Sequence, residues 1–473
     1  MLQDKIFVKR ESSWKTCSES EEAGIFEFCE EYKEFLKAGK TERLCVREIV
    51  KTLEENGFAD LHESKAVKSG EKAFVNFRNK AVVAFVAGKD PEEMRIVGSH
   101  LDSPRLDLKP FPFYEDSDIA LLKTHYYGGI KKYHWVNIPL ALHGVVHSKD
   151  GRCVELSIGE KEGEPRFIVP DLLIHLSREQ LEKKASKTIE AEELNLLAGN
   201  IPVDDEKIKE KVKFAVIKKL YEEIFFRNPI FLVKLYEEYG ITEEDFAFAE
   251  IEITPAGAPC DIGFDGSMIG AYGQDDRACV FTSLKALLNV NNPRHTAVAF
   301  FSDKEEIGST GDTGAESFLL KNFAIDYVEK TDAGIKAEKL LERSKAISAD
   351  VTCAMNPNYK SVNDPSNVSY LGRGVSVEKY SGSGGKYEGN DASAEYMAYI
   401  RNILVENDIS WQTGELGKVD VGGGGTIAGY LSRYGMQCVD AGPCMLGMHS
   451  TCEVSSKADI FSAYRLYRAF FED

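Results

Sequence analysis

Apolar residues recur at helical spacing over residues 18–37, where Ile25, Phe28, Cys29, Tyr32, Phe35 and Leu36 predict one buried face behind the acid-rich start ESEEAG. A second helix is predicted from Glu42 to Glu55, with Val46, Ile49, Val50 and Leu53 on one face and Gly57 as its stop. The period then shortens. Lys72–Phe77, Ala81–Ala87 and Met94–Val97 read as strands, and the last runs into GSHLDSPRLDLKP. His100 and Asp102 stand two apart just past that strand, so in an extended chain they share a face.

From about Ser103 to Thr254 the texture changes. Trp135–Val146 alternates like a half-exposed antiparallel strand, and Phe167–Leu176 reads as a short β-rich segment containing His175. Residues 179–193 and 204–238 are charged and helical, with Val212, Val216, Leu220 and Ile224 four apart. A β/α alternation resumes afterwards. Glu250–Thr254 is strand-like, Asp275 and Asp276 open a helix carried by Val280, Leu284, Leu287 and Leu288, and Thr296–Phe301 is a buried strand. Ala346–Ala349 is another short apolar run, Ala392–Leu404 a helix, and Met436–Val439 a last strand. The pattern predicts an α/β, mixed-sheet domain with helices on both faces, formed by residues 1–102 and 255–473 and interrupted by an inserted β-rich domain at 103–254.

A chain of 473 residues exceeds the ~250–300 at which single cores stop growing, which agrees with two domains. A net charge of −19 argues against nucleic acid and anionic membranes as partners. No stretch approaches 18 apolar residues and the N-terminus lacks an apolar leader, so a cytoplasmic protein is expected. The ten cysteines form no C-x-x-C pair and read as buried thiols in a reducing compartment.

The chemistry lies where apolar runs end. Thr296–Phe301 gives way to SDKEEIGSTG, with Glu305 and Glu306 adjacent before a glycine turn. His100 and Asp350 end two other runs, Asp275 opens a helix, and His449 sits in a late loop. Two imidazoles and three carboxylates from His100, Asp275, Glu305 or Glu306, Asp350 and His449 suit a pair of zinc-like ions bridged by one carboxylate. Mixed nitrogen and oxygen donors favour Zn, Co or Mn over Ca or Mg. Of two adjacent glutamates, one can bind metal while the other stays free as a general base.

VGSHLDSPRLDLKP, GQDDRA, FSDKEEIGS, SADVTCAMNP, GRGVSVEK and GMHS together resemble the aspartyl aminopeptidase / aminopeptidase I family of dimetal metallopeptidases, in order along nearly the whole chain. The resemblance implies that His100 and Asp350 hold one metal, Glu306 and His449 the other, and that Asp275 bridges them. It further implies Glu305 as general base, Asp102 as the group orienting His100, and His175 as a histidine lent to a neighbouring subunit's site. The inserted block would be a dimerisation domain, with dimers building a homo-oligomer, often a dodecamer, that acts on peptides with free N-termini. Two positions depart from the pattern. Where relatives show G-P-V-I-K, this chain has Gly374-Val375-Ser376-Val377-Glu378-Lys379, so the lysine falls one position late, and Cys452 replaces an arginine. Lys379 and Gly374 remain candidate substrate contacts, and acidic and neutral or hydrophobic N-terminal residues both stay open. The alternatives are a related dimetal carboxypeptidase or N-deacylase, or a non-catalytic assembly or cargo protein.

Other signals read as structural. His143 and His147 are four apart on a strand, where that spacing builds no helical metal site. The glycine clusters at 382–385 and 422–425 lack a phosphate-loop ending, and are expected to turn tightly or let backbone approach substrate. Cys438, Cys444 and Cys452 are too irregular for a cluster.

Overall fold

A computed structural model describes residues 6, 8, 11–200 and 230–473. The chain forms two compact units, Met1–Ser103 with Ala258–Asp473, and Pro104–Gly257. The helix expected over 204–238 lies outside the described residues except for Ile230–Tyr239, which is helical.

The larger unit is built on a nine-stranded mixed sheet in the order Ala59–Asp60, Lys72–Phe77, Ala81–Val86, His295–Ser302, Asp90–His100, Lys345–Ser348, Gln437–Gly442, Val375–Glu378, Trp411–Thr413. Side chains alternate across it. Val82, Ala84, Ala297, Ala299 and Phe301 join one core, whereas Val83, Phe85, Val298 and Phe300 join the other. Both faces are covered, so the central strands are buried throughout, in all six residues of Ala81–Val86 and all eight of His295–Ser302. Each such Val or Phe contributes roughly 1.5–3 kcal/mol by burial.

The first core takes the helix Glu19–Ala38, whose Ser18 cap and Glu21 form a reciprocal capping box, and the helix Glu42–Glu55, capped by Thr41. Gln274–Leu288, Ala394–Glu406 and the C-terminal Lys457–Glu472 pack on the same side. Leu319–Thr331 and Ala337–Arg343 cover the other face. A five-stranded sheet in the same unit joins Cys260–Ile262, Met268–Ala271, Glu453–Ser456, Cys444–Leu446 and Thr352–Cys353.

The smaller unit is a six-stranded antiparallel sheet, in the order Cys153–Ile158, Leu140–His147, Glu250–Pro255, Arg105–Asp116, Ile119–Tyr127, Leu196–Gly199. Three expectations fail here. The strand expected from Trp135 starts only at Leu140, because Asn137 is left-handed and Pro139 offers no donor. Residues 167–176 form isolated bridges at Phe167 and Val169 rather than a strand, interrupted by Pro165 and Pro170, and His175 lies in a short 3-10 turn. The charged stretch 179–193 makes only the single turns Arg178–Leu181, Ala185–Thr188 and Ala191–Glu193, none of which buries a residue. No helix among the described residues is long and apolar enough to cross a membrane.

Candidate metal centre

Register brings the candidate donors to one sheet edge. Asp90–His100 and His295–Ser302 run parallel with His100 opposite Ser302, so the Glu305–Ile307 turn begins just beyond the level of His100. On the other side Ser348 pairs with Gly98, which starts Asp350 level with His100. The remaining donors come from the five-stranded sheet of the same unit. Strand Met268–Ala271 leads into Asp275, and the loop between Cys444–Leu446 and Glu453–Ser456 carries His449 at a φ of 63°.

His100, Asp275 and Asp350 offer three donor atoms within 4.8 Å of one another, and so do Asp275, Glu306 and His449. Asp275 faces both groups. Its Oδ1 lies 3.3 Å from His100 Nε2 and its Oδ2 lies 3.1 Å from His449 Nε2. His449 Nε2 is also 3.3 Å from Glu306 Oε1, and Asp350 Oδ1 is 3.9 Å from His100 Nε2. Glu305 Oε2 stands 3.9 Å from His100 Nε2.

The residues around the donors fix their backbones. His100 Nδ1 is 3.0 Å from the Asp102 carbonyl, which sets the ring's orientation. The Asp102 carboxylate accepts the N–H of Glu305 at Oδ1 and of Glu306 at Oδ2, both at 3.1 Å. Asp102 therefore holds the glutamate turn as well as neighbouring His100. Glu453, which sequence reasoning misses, does the same on the other side: its Oε1 accepts the N–H of His449 at 2.8 Å and its Oε2 that of Asp275 at 3.1 Å. Its only sequence signal is a lone acid at the start of a short strand, which marks nothing by itself. Asp276 accepts the His100 N–H and is wholly buried.

This many acids in one buried place raise each other's pKa. Burial, then Asp275, pushes Glu306 well up, and burial with Asp276 does so for Asp350. Burial, with Asp102 and Asp275, brings Glu305 to about 7, and burial with Asp275 brings Glu453 to about 8. Asp275 goes the other way: burial opposes its charge, but His100 and His449 flank it and hold it low. Burial likewise disfavours the charged His449, yet Asp275 and Glu306 lift it to about 10. The two imidazoles thus act as the cations of a cluster with excess carboxylate. Glu306 Oε1 is buried with no hydrogen bond closing on it. An orphaned acceptor, two imidazole nitrogens and shared carboxylate oxygens fit divalent cations of the zinc class.

The donors line one end of a cleft of about 270 Å³, whose walls include Glu378, Tyr380, Glu415, Lys418 and both glycine segments. Gly382–Ser383 pairs with Gly423–Gly424, and a Cβ at Gly423 would lie 2.5 Å from the Gly382 carbonyl oxygen, so the close approach excludes a side chain there. The structure does not bring the other two substrate candidates to this cleft. Lys379 Nζ pairs with Asp391 at 2.7 Å on the surface, and the Gly374 N–H donates to buried Asp459. His175 is exposed and belongs to the smaller unit. His143 is buried against Glu160 and Ser157.

Comparison with known proteins gives the family and the fold. The aminopeptidase I zinc metalloprotease (M18) family model matches residues 35–471. A probable M18 family aminopeptidase 1 of Clostridium acetobutylicum is 45% identical over 100% of both chains. The crystal structure of an M18-family aminopeptidase from Thermotoga maritima superposes with a TM-score of 0.91 at 44% identity, covering 98% of this chain and 100% of the other. That of aminopeptidase I from Clostridium acetobutylicum gives 0.88 at 44% identity, over 99% and 100%.

Proposed function

The chain belongs to the M18 family of zinc aminopeptidases, and on that premise we propose that it removes N-terminal residues from peptides at a carboxylate-bridged pair of divalent cations. The observation that carries this reading is the pair of donor triads sharing Asp275, with Glu305 beside them. His100 and Asp350 would hold one ion, Glu306 and His449 the other, and Asp275 both; zinc suits the donors, with cobalt or manganese as substitutes. Such ions supply Lewis-acid polarisation of the scissile carbonyl.

The chain's own residues supply the rest. Glu305 takes a proton from the attacking water as the new C–O bond forms, and delivers it to the leaving nitrogen as the C–N bond breaks. Asp102 keeps Glu305 and Glu306 in their separate directions by holding both amides. His175 would reach the carbonyl oxygen in a neighbouring copy. It sits among Leu172, Leu173, Ile174 and Leu176, each 46–68% exposed, an apolar run that suits cover by a second subunit. A homo-oligomer built through the smaller unit follows, and a yeast protein of this fold, 19% identical, is solved as a dodecamer. Ten unpaired cysteines support a reducing, cytoplasmic setting.

One panel tests the reaction and His175 together. Peptides with a free N-terminus should be hydrolysed and their N-acetylated counterparts should not, by a particle whose mass in light scattering is a multiple of the chain. His175→Phe should lower kcat by about 10²-fold with metal content unchanged. Equal hydrolysis of the acetylated peptides would point to a carboxypeptidase or deacylase instead, and an unaltered rate in the variant would leave His175 structural.

The acids also predict a pH effect on metal loading. In the metal-free fold Glu305 and Glu453 keep protons up to about 7 and about 8, which the unfolded chain releases near ~4.3. Folding then takes up protons, so metal-free stability falls as pH rises from ~4.3 through those values. Cations replace the protons. The rise in Tm on adding zinc should be larger at pH 8 than at pH 6; an equal or smaller rise at pH 8 would count against cations neutralising this cluster.

A further inference from the structure

Building on the aminopeptidase reading, we infer that Glu378 sets the specificity of the cleft, and that the preferred substrate carries a cationic side chain, lysine or arginine, on its N-terminal residue. The strand Val375–Glu378 alternates: Val375 and Val377 enter the first core, while Ser376 and Glu378 face the other way. Glu378 lines the cleft together with His100, Asp275, Glu305 and Asp350. Lys379, one residue on, turns off that wall and is engaged with Asp391. The acid, not the lysine, faces the substrate.

Glu378 stands directly opposite Asp440 in the antiparallel ladder, so two carboxylates share one face of neighbouring strands. Like charges in that position ordinarily destabilise a sheet. Both Asp440 oxygens are satisfied, Oδ1 by Thr426 at 2.6 Å and Oδ2 by Ser381 at 3.1 Å. Glu378 is 8% exposed, and the hydroxyl of Thr352 donates to its Oε1. Among the described residues no donor reaches its Oε2. Glu415 adds a third acid to the same wall. Burial, then Asp440 and Glu415, raise the Glu378 carboxyl to about 7. The cleft's two lysines do not answer these acids: Lys386 pairs with Asp391 at 2.9 Å beneath the Tyr380 ring, and Lys418 acts on Asp364.

Oε2 is thus left facing the cleft, where a cation or strong donor brought by the ligand can reach it. The substrate's own α-amine is the other ammonium available, but it lies next to the scissile carbonyl and so stays by the donor triads. Glu378 belongs to neither triad. The groups that act on it are Asp440 and Glu415, while Asp350 feels Asp276, His100, Asp275 and Glu305. A lysine's four-carbon stem, or an arginine's three-carbon one, carries its charge away from the α-amine and toward that wall of the cleft.

The test uses the metal-loaded enzyme and p-nitroanilides of lysine, arginine, leucine and aspartate. The kcat/KM for lysine and arginine should exceed that for leucine and aspartate by at least about tenfold. Glu378→Gln keeps an acceptor for Thr352, and should cut the lysine-to-leucine ratio by about tenfold or more; Glu378→Lys should move the preference toward aspartate. Free lysine should also inhibit the unaltered enzyme at lower concentration than norleucine, its uncharged analogue. Cleavage of leucyl or aspartyl substrates with lysyl and arginyl ones disfavoured, equal inhibition by the two amino acids, or an unchanged ratio in Glu378→Gln overturns the inference and leaves the aminopeptidase reading standing. No hydrolysis of any free-amine substrate overturns both.

Discussion

Glu305→Gln should lose about 10³-fold or more in kcat while binding metal as the unaltered chain does. The expectation follows from where each of the adjacent glutamates points. Glu306 reaches His449 at 3.3 Å and completes a donor triad with Asp275, whereas Glu305 belongs to neither triad. Glutamine keeps the shape of Glu305, and the backbone N–H at that position still donates to Asp102. What it removes is the carboxylate that can accept and return a proton beside the two triads. The check is single-turnover hydrolysis beside metal analysis of the same sample. Metal loss would mean that Glu305 is a ligand, and normal turnover would remove it as the base.

Asp275→Ala should be the most damaging substitution in the cluster, with both ions lost and hydrolysis reduced by at least about 10⁴-fold. Asp275 presents one oxygen to each imidazole, so its removal takes a donor from both triads at once. It also leaves Glu306 and Asp350, each buried among other carboxylates, without the cation that would neutralise it. Metal content by atomic emission and melting with and without added zinc measure the effect. Retention of full metal content by a folded variant would show that Asp275 bridges nothing.

Much of this arrangement is written in local patterns of the amino-acid sequence. His295–Ser302 and Lys345–Ser348 are buried runs that end close to acids, and period and length alone identify them as strands. The H-x-D step after Asp90–His100 is legible for the same reason. Glu453 is not: its importance comes from two amides that approach it from distant parts of the chain, which no local pattern records. The substrate wall differs from the sequence expectation by one position. Attention falls on Lys379 because a cation is expected near an acidic substrate, yet on a strand one residue is the difference between facing the cleft and facing solvent. In the smaller unit the apolar run 167–176 looks like a strand by composition, but Pro165 and Pro170 deny it a ladder. Its apolar side chains at 172–176 remain exposed in this chain, so their partner is not encoded locally.

Two buried carboxylates, Asp102 and Glu453, each grip a pair of amides beneath the donors. The positions from which Glu305, Glu306, Asp275 and His449 reach into the cleft are thus set by the main chain, not by what those side chains are. An exchange of one donor for another would present the new group from an unmoved anchor. Descent could then retune the preferred ion of this site through single substitutions, with the scaffold left as it is, whereas a change at either anchor would unsettle two donors together.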